Sequence, residues 1–222
     1  MRNHRSLLCV KILSLFSAFF LTSCDFITPS MKINYKVTVE IETPEGIKTG
    51  YAVRQIYNRT PLVRFPDVGN PASIRGEAVV VDLGERGKVF FTLSDQSRKN
   101  GLYQAFPTKA PSSKDGVQYY IKTLKPGMKA EWSKFKPKFV MFRDITDPKS
   151  ITLLRNEERW NDDLRQVTAD DHFEAILGQG VQLKIITVEI TDEPVTWGVV
   201  EENLPKKRPI SGMQRFKKGK QK

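Results

Sequence analysis

Apolar and polar residues alternate along a stretch near the amino terminus, Asn34-Tyr35-Lys36-Val37-Thr38-Val39-Glu40-Ile41. Successive side chains of a strand point to opposite faces, so this stretch predicts a β-strand with one buried face. The turn residues Thr43-Pro44-Glu45-Gly46 follow, and a second strand is predicted over residues 47–57. The two strands therefore predict a hairpin, to which the remaining elements can be added.

After a loop predicted at residues 58–73, two strands at 74–83 and 88–93 form a second hairpin around Gly84–Gly87. Short strands are predicted at 139–142 and 151–154. The last strand, residues 181–190, has apolar residues at odd positions up to Ile185 and at even positions from Ile186. This change of phase predicts a β-bulge or burial on both faces near Ile185.

Two helices are predicted between the strands. Helical spacing places Val117, Tyr120, Ile121 and Leu124 on one inward face, and Pro126-Gly127 ends that helix. A capping box over residues 168–171 opens a second helix, which Gly178 ends. The sequence thus predicts an α+β fold: a mostly antiparallel sheet of five to seven strands with two or three short helices.

The composition agrees with one globular domain. The chain has 222 residues, of which 39% are hydrophobic and 27% charged. These values exclude a disordered chain, a fibrous rod and a polytopic membrane protein. We expect a signal peptide at 1–23, a short tether at 24–33, a single domain at 34–204 and a basic, disordered tail at 205–222.

The amino terminus has the pattern of an export signal. Positive charges at Arg2, Arg5 and Lys11 precede a predominantly apolar run of ten residues, 12–21. This run is about half as long as a membrane-spanning helix needs to be. The four residues Leu21-Thr22-Ser23-Cys24 then resemble the lipobox of bacterial lipoproteins. The resemblance implies cleavage between Ser23 and Cys24 and a diacylglycerol thioether on Cys24.

The expected location follows from this anchor. A lipidated Cys24 places the protein in the bacterial cell envelope, where two or three acyl chains hold it stably. Asp25 directly follows Cys24. This position resembles the inner-membrane retention signal of Gram-negative lipoproteins, in which an Asp follows the lipidated Cys. The sequence therefore favours the inner membrane, facing the periplasm, over the outer membrane.

The net charge of +11 resides at the two ends of the chain. Three cations precede Cys24, and eight follow Asn203 without any acid, which accounts for the whole excess. These eight are candidate contacts for anionic phospholipid or for an acidic envelope partner. They are Lys206, Lys207, Arg208, Arg215, Lys217, Lys218, Lys220 and Lys222.

The body of the chain is neutral but polarised. Residues 109–138 carry a net charge of +6, and residues 151–202 carry −8. We expect the two stretches to face each other or to face water. Aromatic residues interleave with the lysines of the first stretch, but an exported protein rarely meets nucleic acid, so no nucleic-acid partner is expected.

The sequence offers no catalytic or metal-binding motif, and no cofactor or metal is expected. The chain after Cys24 contains no further cysteine and one histidine, His172. A binding or scaffolding role is therefore favoured. The alternative is a periplasmic hydrolase acting through a pair of carboxylates. Six acids at predicted strand ends or turns are candidates for such a pair, although turn and cap chemistry also explains them: Glu77, Asp82, Asp144, Asp147, Asp192 and Glu193.

Three longer segments carry a further resemblance, covering about two-thirds of the mature chain. They are residues 75–84, residues 142–144 with 147–150, and residues 178–184 running through 190–196. Together they resemble a family of uncharacterised bacterial proteins and lipoproteins. The resemblance implies no activity and no functional residues.

Overall fold

The computed structural model describes residues 29–60, 72–93 and 100–204, together with the backbone of Lys217–Lys218. The signal peptide and lipobox predicted from the sequence lie outside these residues, as does most of the basic tail. Within the described ranges the chain forms twelve strands, four α-helices and two short 3₁₀ helices, Gly84–Arg86 and Pro148–Ser150.

The strands are β1 (Ser30–Thr43), β2 (Gly46–Arg59), β3 (Ser73–Glu77), β4 (Val79–Asp82), β5 (Lys88–Phe91), β6 (Lys129–Glu131), β7 (Phe139–Phe142), β8 (Ile151–Arg155), β9 (Arg159–Asn161), β10 (Gln166–Thr168), β11 (Gln182–Ile190) and β12 (Lys217–Lys218). The α-helices are α1 (Gly101–Ala105), α2 (Lys114–Thr123), α3 (Phe173–Leu177) and α4 (Val199–Asn203).

The large sheet has the strand order β12-β3-β2-β1-β11-β6, with every neighbouring pair antiparallel. The predicted hairpin β1–β2 lies at its centre. The inward side chains of β1 are buried as the alternation predicts, with Val37 and Val39 fully inaccessible. The hairpin closes with Thr43 opposite Gly46, whose φ of +116° is accessible to glycine at little cost.

The predicted bulge in β11 is confirmed. Glu40 of β1 lies opposite Ile185 and Ile41 lies opposite Leu183, so Lys184 is the extra residue. The insertion turns Ile186 and Val188 toward the core, where both are fully buried.

The small sheet has the order β4-β5-β7-β8, and β9 pairs with β10 separately. The sequence predicted one continuous strand over residues 74–83, which is wrong. The chain leaves the large sheet at Glu77 and enters the small sheet at Val79. Gly76, with a φ of +134°, permits the bend, because a residue with a Cβ is strained there.

The two sheets pack face to face with very little space at their crossing. A Cβ at Gly50 of β2 would lie 2.0 Å from the carbonyl oxygen of Val80 in β4. The main core fills the rest of the interface, and α1, α2 and α3 contribute Leu102, Tyr120 and Phe173 to it. A second, smaller core lies on the other face of the small sheet, under Val200 of α4.

The helix predictions are correct in part. Val117 and Tyr120 of α2 are fully buried, but Ile121 is 46% exposed, contrary to its predicted inward position. Helical periodicity alone could not distinguish the edge of the apolar face from its centre. Leu124 caps the carboxyl end of α2 and is half-buried.

The predicted capping box of α3 is wrong. Thr168 belongs to β10, and the helix begins at Phe173, whose N–H donates to Asp171 Oδ1 over 3.1 Å. Thr168 lies opposite Arg159 of β9, so its backbone is part of a strand pair and it does not cap the helix. Gly178 ends the helix as predicted, with a φ of +105°.

The α+β class with mostly antiparallel pairing is confirmed. Three of the four described α-helices, α1, α3 and α4, have five residues each, and the sequence predicts neither α1 nor α4. Segments this short cannot show helical periodicity in a sequence.

Arg54 of β2 lies where the chain passes between the sheets, and it is only 2% exposed. Its Nε donates to the carbonyl oxygen of Glu77 over 3.1 Å, and its Nη2 donates to those of Phe91 and Thr92 over 3.2 and 3.4 Å. The guanidinium carbon also lies 5.4 Å from the ring centroid of Phe91. One side chain therefore binds the ends of β3 and β5 to β2.

Burial lowers the pKa of Arg54 to about 10, while the charges of Tyr35 and Glu77 oppose the shift. The guanidinium therefore stays charged at neutral pH. Within the described part of the chain its hydrogen-bond partners are backbone carbonyls, not carboxylates. Its delocalised charge and fork of donors suit it to satisfy several carbonyls at once.

We predict that Arg54→Met lowers the free energy of unfolding by about 3 kcal/mol, because three buried carbonyls lose their donor. Arg59→Met, at an exposed position of the same strand, should change it by less than about 0.5 kcal/mol. Urea unfolding of the mature chain measures both. Equal midpoints for the two variants would show that the guanidinium does not hold the sheets together.

Candidate functional site

The amino-terminal end of the β1–β2 hairpin is the part of the described structure nearest in sequence to the predicted anchor. β1 begins at Ser30, four residues before the predicted strand start and six after Cys24. Ser30 lies opposite Arg59, and the N–H of Thr60 donates to the carbonyl oxygen of Pro29 over 3.2 Å. Six extended residues reach about 20 Å, so a lipid on Cys24 would keep this end close to a bilayer.

Three cations and a tyrosine lie together at this end of the hairpin, on the face of the large sheet opposite the core. We call that face the outer face and this group the basic end patch: Lys32, Tyr57, Arg59 and Arg75. Lys32 lies opposite Tyr57, and Arg75 lies opposite Gln55, two positions along β2. Cross-strand partners share a face, so all four side chains project from the same side. Tyr57 is 39% exposed, and Lys32 and Arg59 are exposed.

The cations of the basic end patch differ from their neighbours in having no charge partner among the residues that the structure describes. Among the described residues, Lys32, Arg59 and Arg75 make no ion pair, whereas Lys36 pairs with Glu193 and Lys184 pairs with Glu40 over 3.6 Å. Within the described structure, the charged side chains along most of β1 on the outer face are therefore paired, and those at the beginning of β1 are cations without an ion pair.

Residues 191–196 cross the outer face and separate the basic end patch from the rest of it. The N–H of Thr191 donates to the carbonyl oxygen of Asn34, and the Nδ2 of Asn34 donates to that of Glu193. At the far side of β2, the N–H of Thr196 donates to the carbonyl oxygen of Val53 over 3.0 Å. This segment buries Val53 and leaves the patch exposed on one side of the crossing.

Of the eight tail cations predicted to contact anionic phospholipid, the structure describes the backbone of two. Lys217 lies opposite Glu77 and Lys218 opposite Gly76, as strand β12 on the edge of β3. At these two positions the backbone is paired, whereas the sequence predicted a disordered tail. The other six tail cations, and Ser23 and Cys24, lie outside the described residues.

A strip of apolar side chains is exposed on the small sheet. Leu153 and Ile151 of β8 lie opposite Val140 and Phe142, so they continue the face that Val200 of α4 covers. Because α4 packs over β4, at the other edge of this sheet, Ile151 and Leu153 remain 46% and 37% exposed. We call these two side chains the apolar strip.

The six candidate acids do not converge. Turn and cap chemistry explains three of the exposed ones, as their hydrogen bonds to backbone N–H groups show. Asp82 accepts from Gly84, Asp144 from Thr146 and Asp147 from Lys149, each over 2.8 Å. Hydrogen bonds from Thr146 also lower the pKa of Asp144. Asp192 is exposed, and Glu193 pairs with Lys36.

Glu77 differs from the other candidate acids because it is fully buried. Its Oε2 accepts from the N–H of Val200 over 3.2 Å, so it caps the first turn of α4. Among the described atoms, its Oε1 has no hydrogen-bond partner. The carboxylate thus holds α4 against the small sheet, in a position that solvent does not reach.

A surface cleft of about 430 Å³ lies beside the β1–β2 turn. It is lined by Glu45, Lys48, Leu83, Gly84, Glu85 and Arg86. Arg86 binds both carboxylate oxygens of Glu45, over 2.7 and 3.3 Å, and donates to the carbonyl oxygen of Leu177 over 2.6 Å. The hydrogen bonds from Arg86 lower the pKa of Glu45 to about 2. A general acid needs a raised pKa, so Glu45 is unsuited to that role.

His172 is exposed at the beginning of α3 and makes no side-chain cap. The adjacent Asp171 accepts from Arg155 Nη1 over 2.5 Å. Arg155 also pairs with Glu158, which in turn pairs with Lys136 over 3.3 Å. These contacts form a structural ion network rather than a nucleophile–base arrangement.

The basic and acidic stretches of the chain do face each other in two places. Lys136 pairs with Glu158, and Lys129 pairs with Glu189 over 3.2 Å. Of the aromatic residues that interleave with the lysines, Tyr120 and Trp132 are buried in the core. Tyr119 remains 50% exposed on α2.

Comparison with known proteins gives no match to a family model, a curated protein or a solved structure. The resemblances to lipoproteins and to an uncharacterised family therefore stay predictions. In the described ranges no α-helix is long and apolar enough to cross a bilayer. Nor do the described side chains include three or more His, Cys, Asp or Glu residues placed to share a metal ion.

Sequence reasoning missed the basic end patch and Arg54. The position of the hairpin turn fixes the β1–β2 register, and this register places Lys32 opposite Tyr57. That part of the patch could have been found from the sequence. Arg75 joins them through the β2–β3 pairing, for which the sequence holds no local signal.

We predict that Glu45→Gln lowers the melting temperature near pH 6 and that this difference shrinks as the pH falls. A carboxylate whose pKa is lowered from 4.5 to about 2 stabilises the folded state above pH 4.5. That contribution is lost as the pH falls through 2. Glu85→Gln, a neighbouring carboxylate without an ion pair in the described structure, is the matched control. A constant Glu45→Gln difference between pH 6 and pH 2 would contradict the pairing with Arg86.

Proposed function

We propose that this chain is a lipid-anchored protein of the bacterial cell envelope whose α+β domain acts as a binding or scaffolding module at the membrane surface. Diacylglycerol on Cys24 holds the mature chain, which begins there after cleavage behind Ser23. The observation that carries the proposal is the sequence Leu21-Thr22-Ser23-Cys24 directly after a short apolar run.

The fold is compatible with such an anchor. Among the described residues, the buried hydrophobic core runs from Met31 to Val200, and all of these residues follow Cys24. The mature chain has no cysteine besides Cys24, so the domain folds without a disulfide. Lipidation thus leaves the core of the domain unaffected.

Asp25 supports retention in the inner membrane, with the domain facing the periplasm. Because β1 begins at Ser30, only residues 25–29 separate the lipid from the large sheet. A tether of this length keeps the domain beside the membrane that holds the lipid.

The apolar strip supports a binding role. Ile151 and Leu153 extend a covered apolar face beyond the reach of α4. Apolar side chains exposed beside a core are typical of protein contact sites. The dispersed, hydrogen-bonded acids give no comparable support to carboxylate-based hydrolysis.

We predict that Cys24→Ser removes the mature protein from the membrane fraction of bacterial cells, because no acyl chain can attach. The variant should be found either as a soluble chain or as an uncleaved precursor of higher mass. Cys9→Ser removes the other cysteine of the chain, within the signal, and should leave the protein in the membrane fraction. Fractionation with immunodetection measures both. Membrane retention of mature Cys24→Ser in high salt would refute anchoring through this residue.

We predict that a photo-crosslinking amino acid at Leu153 forms a discrete adduct in intact cells, whereas the same amino acid at exposed Lys149 does not. Adding Ile151→Asp should remove the adduct, because a carboxylate on the apolar strip opposes burial against a partner. Equal labelling at both positions, or none at Leu153, would argue against the strip as a contact surface.

A further inference from the structure

We propose that the basic end patch binds the headgroups of anionic phospholipids, so that the domain rests with this end of its outer face against the bilayer. The inference rests on the proposed anchor at Cys24 and adds an orientation to it. The tail cations were the sequence-based candidates for such contact; the basic end patch is a separate site on the folded domain.

The chain between Cys24 and the basic end patch is short. Lys32 follows Cys24 by eight residues, and Arg59 lies opposite Ser30 at the very start of β1. A lipid at Cys24 therefore confines the patch to within about 30 Å of the headgroup plane. At that distance the effective concentration of headgroups is high, so weak individual contacts suffice for binding.

The three cations of the basic end patch are available to bind an anion. Lys32, Arg59 and Arg75 make no ion pair within the described chain, although acids pair with the cations further along the same sheet. The crossing segment contains two acids. Glu193 pairs with Lys36 on the side away from Lys32, and Asp192 is exposed and makes no ion pair with the three cations in the described structure. Binding a phosphate would therefore break no ion pair that these three cations make with another described residue.

The side chains of the patch project from three neighbouring strands of one sheet, and neighbouring strands lie about 5 Å apart. The patch therefore presents three cations and a tyrosine on one flat surface. A plane of phosphates is complementary to such a surface, whereas a single small anion would need converging donors. Tyr57 adds an amphipathic ring of the kind that favours the membrane–water interface.

The test uses the chain that begins at Asp25, which keeps every core residue and carries no lipid. Vesicles of phosphatidylcholine with and without phosphatidylglycerol serve as the probe. We expect binding that requires phosphatidylglycerol and that weakens with salt. The triple variant Lys32→Gln, Arg59→Gln, Arg75→Gln should bind roughly 10- to 100-fold more weakly.

A matched triple variant, Lys48→Gln, Arg143→Gln, Lys149→Gln, removes the same charge from unpaired described cations elsewhere on the domain. It should weaken binding less than about threefold if position rather than net charge matters. Equal losses for the two triple variants, or binding that ignores phosphatidylglycerol, would overturn the proposal. Neither result would affect lipidation of Cys24, which fractionation tests separately.

A second measurement does not depend on the triple variant folding well. The chain beginning at Asp25 has no cysteine, so Tyr57→Cys and Tyr51→Cys each provide one labelling site. Both tyrosines are exposed on the outer face of β2, but Tyr51 lies beyond the crossing segment. An environment-sensitive fluorophore should report an apolar environment on vesicles at position 57 and not at 51. The opposite order, or equal responses, would refute the orientation.

Discussion

The buried guanidinium of Arg54 is the contact on which the joining of the two sheets depends. It lies at the point where the chain leaves β3 for β4, and it satisfies carbonyls at the ends of β3 and β5 from a position on β2. The positive φ of Gly76 permits the bend, and the absence of a Cβ at Gly50 permits the close approach of Val80. Arg54 holds the strand ends in that arrangement. The two sheets consequently form one body with two outward faces, one carrying the basic end patch and the other the apolar strip.

This arrangement suits a protein that acts through its surfaces. Four of the six candidate acids cap turns or α4, Glu193 pairs with Lys36, and Asp192 is exposed. In the wall of the cleft beside Arg86, the carboxylate of Glu45 is held by an ion pair with Arg86. Cations that pair with no other described residue instead lie at the end of β1 that follows Cys24, and exposed apolar side chains lie on β8. A short tether, a basic end and an apolar edge together describe a domain held at a bilayer and available to a partner.

Local patterns predicted much of the fold and little of the candidate site. The structure contains the three features that depend only on residues close together in the sequence. They are the alternation over residues 34–41, the turn at Pro44-Glu45 and the change of phase at Ile185. Arg54 occupies an inward position between Ala52 and Ile56, which marks it as unusual in the sequence. Its partners, however, are carbonyls of residues 77, 91 and 92, which only the tertiary fold brings together. The same holds for Arg75, whose place beside Tyr57 depends on pairing across a long connection.

The central claim is that a lipid on Cys24, rather than a peptide helix, attaches this domain to its membrane. Intact-mass spectrometry of the protein extracted from bacterial membranes tests it most directly. The account predicts the mass of residues 24–222 increased by a diacylglycerol thioether, with or without an acyl group on the new amino terminus. A free thiol at Cys24, or a chain that still carries residues 1–23, would contradict it.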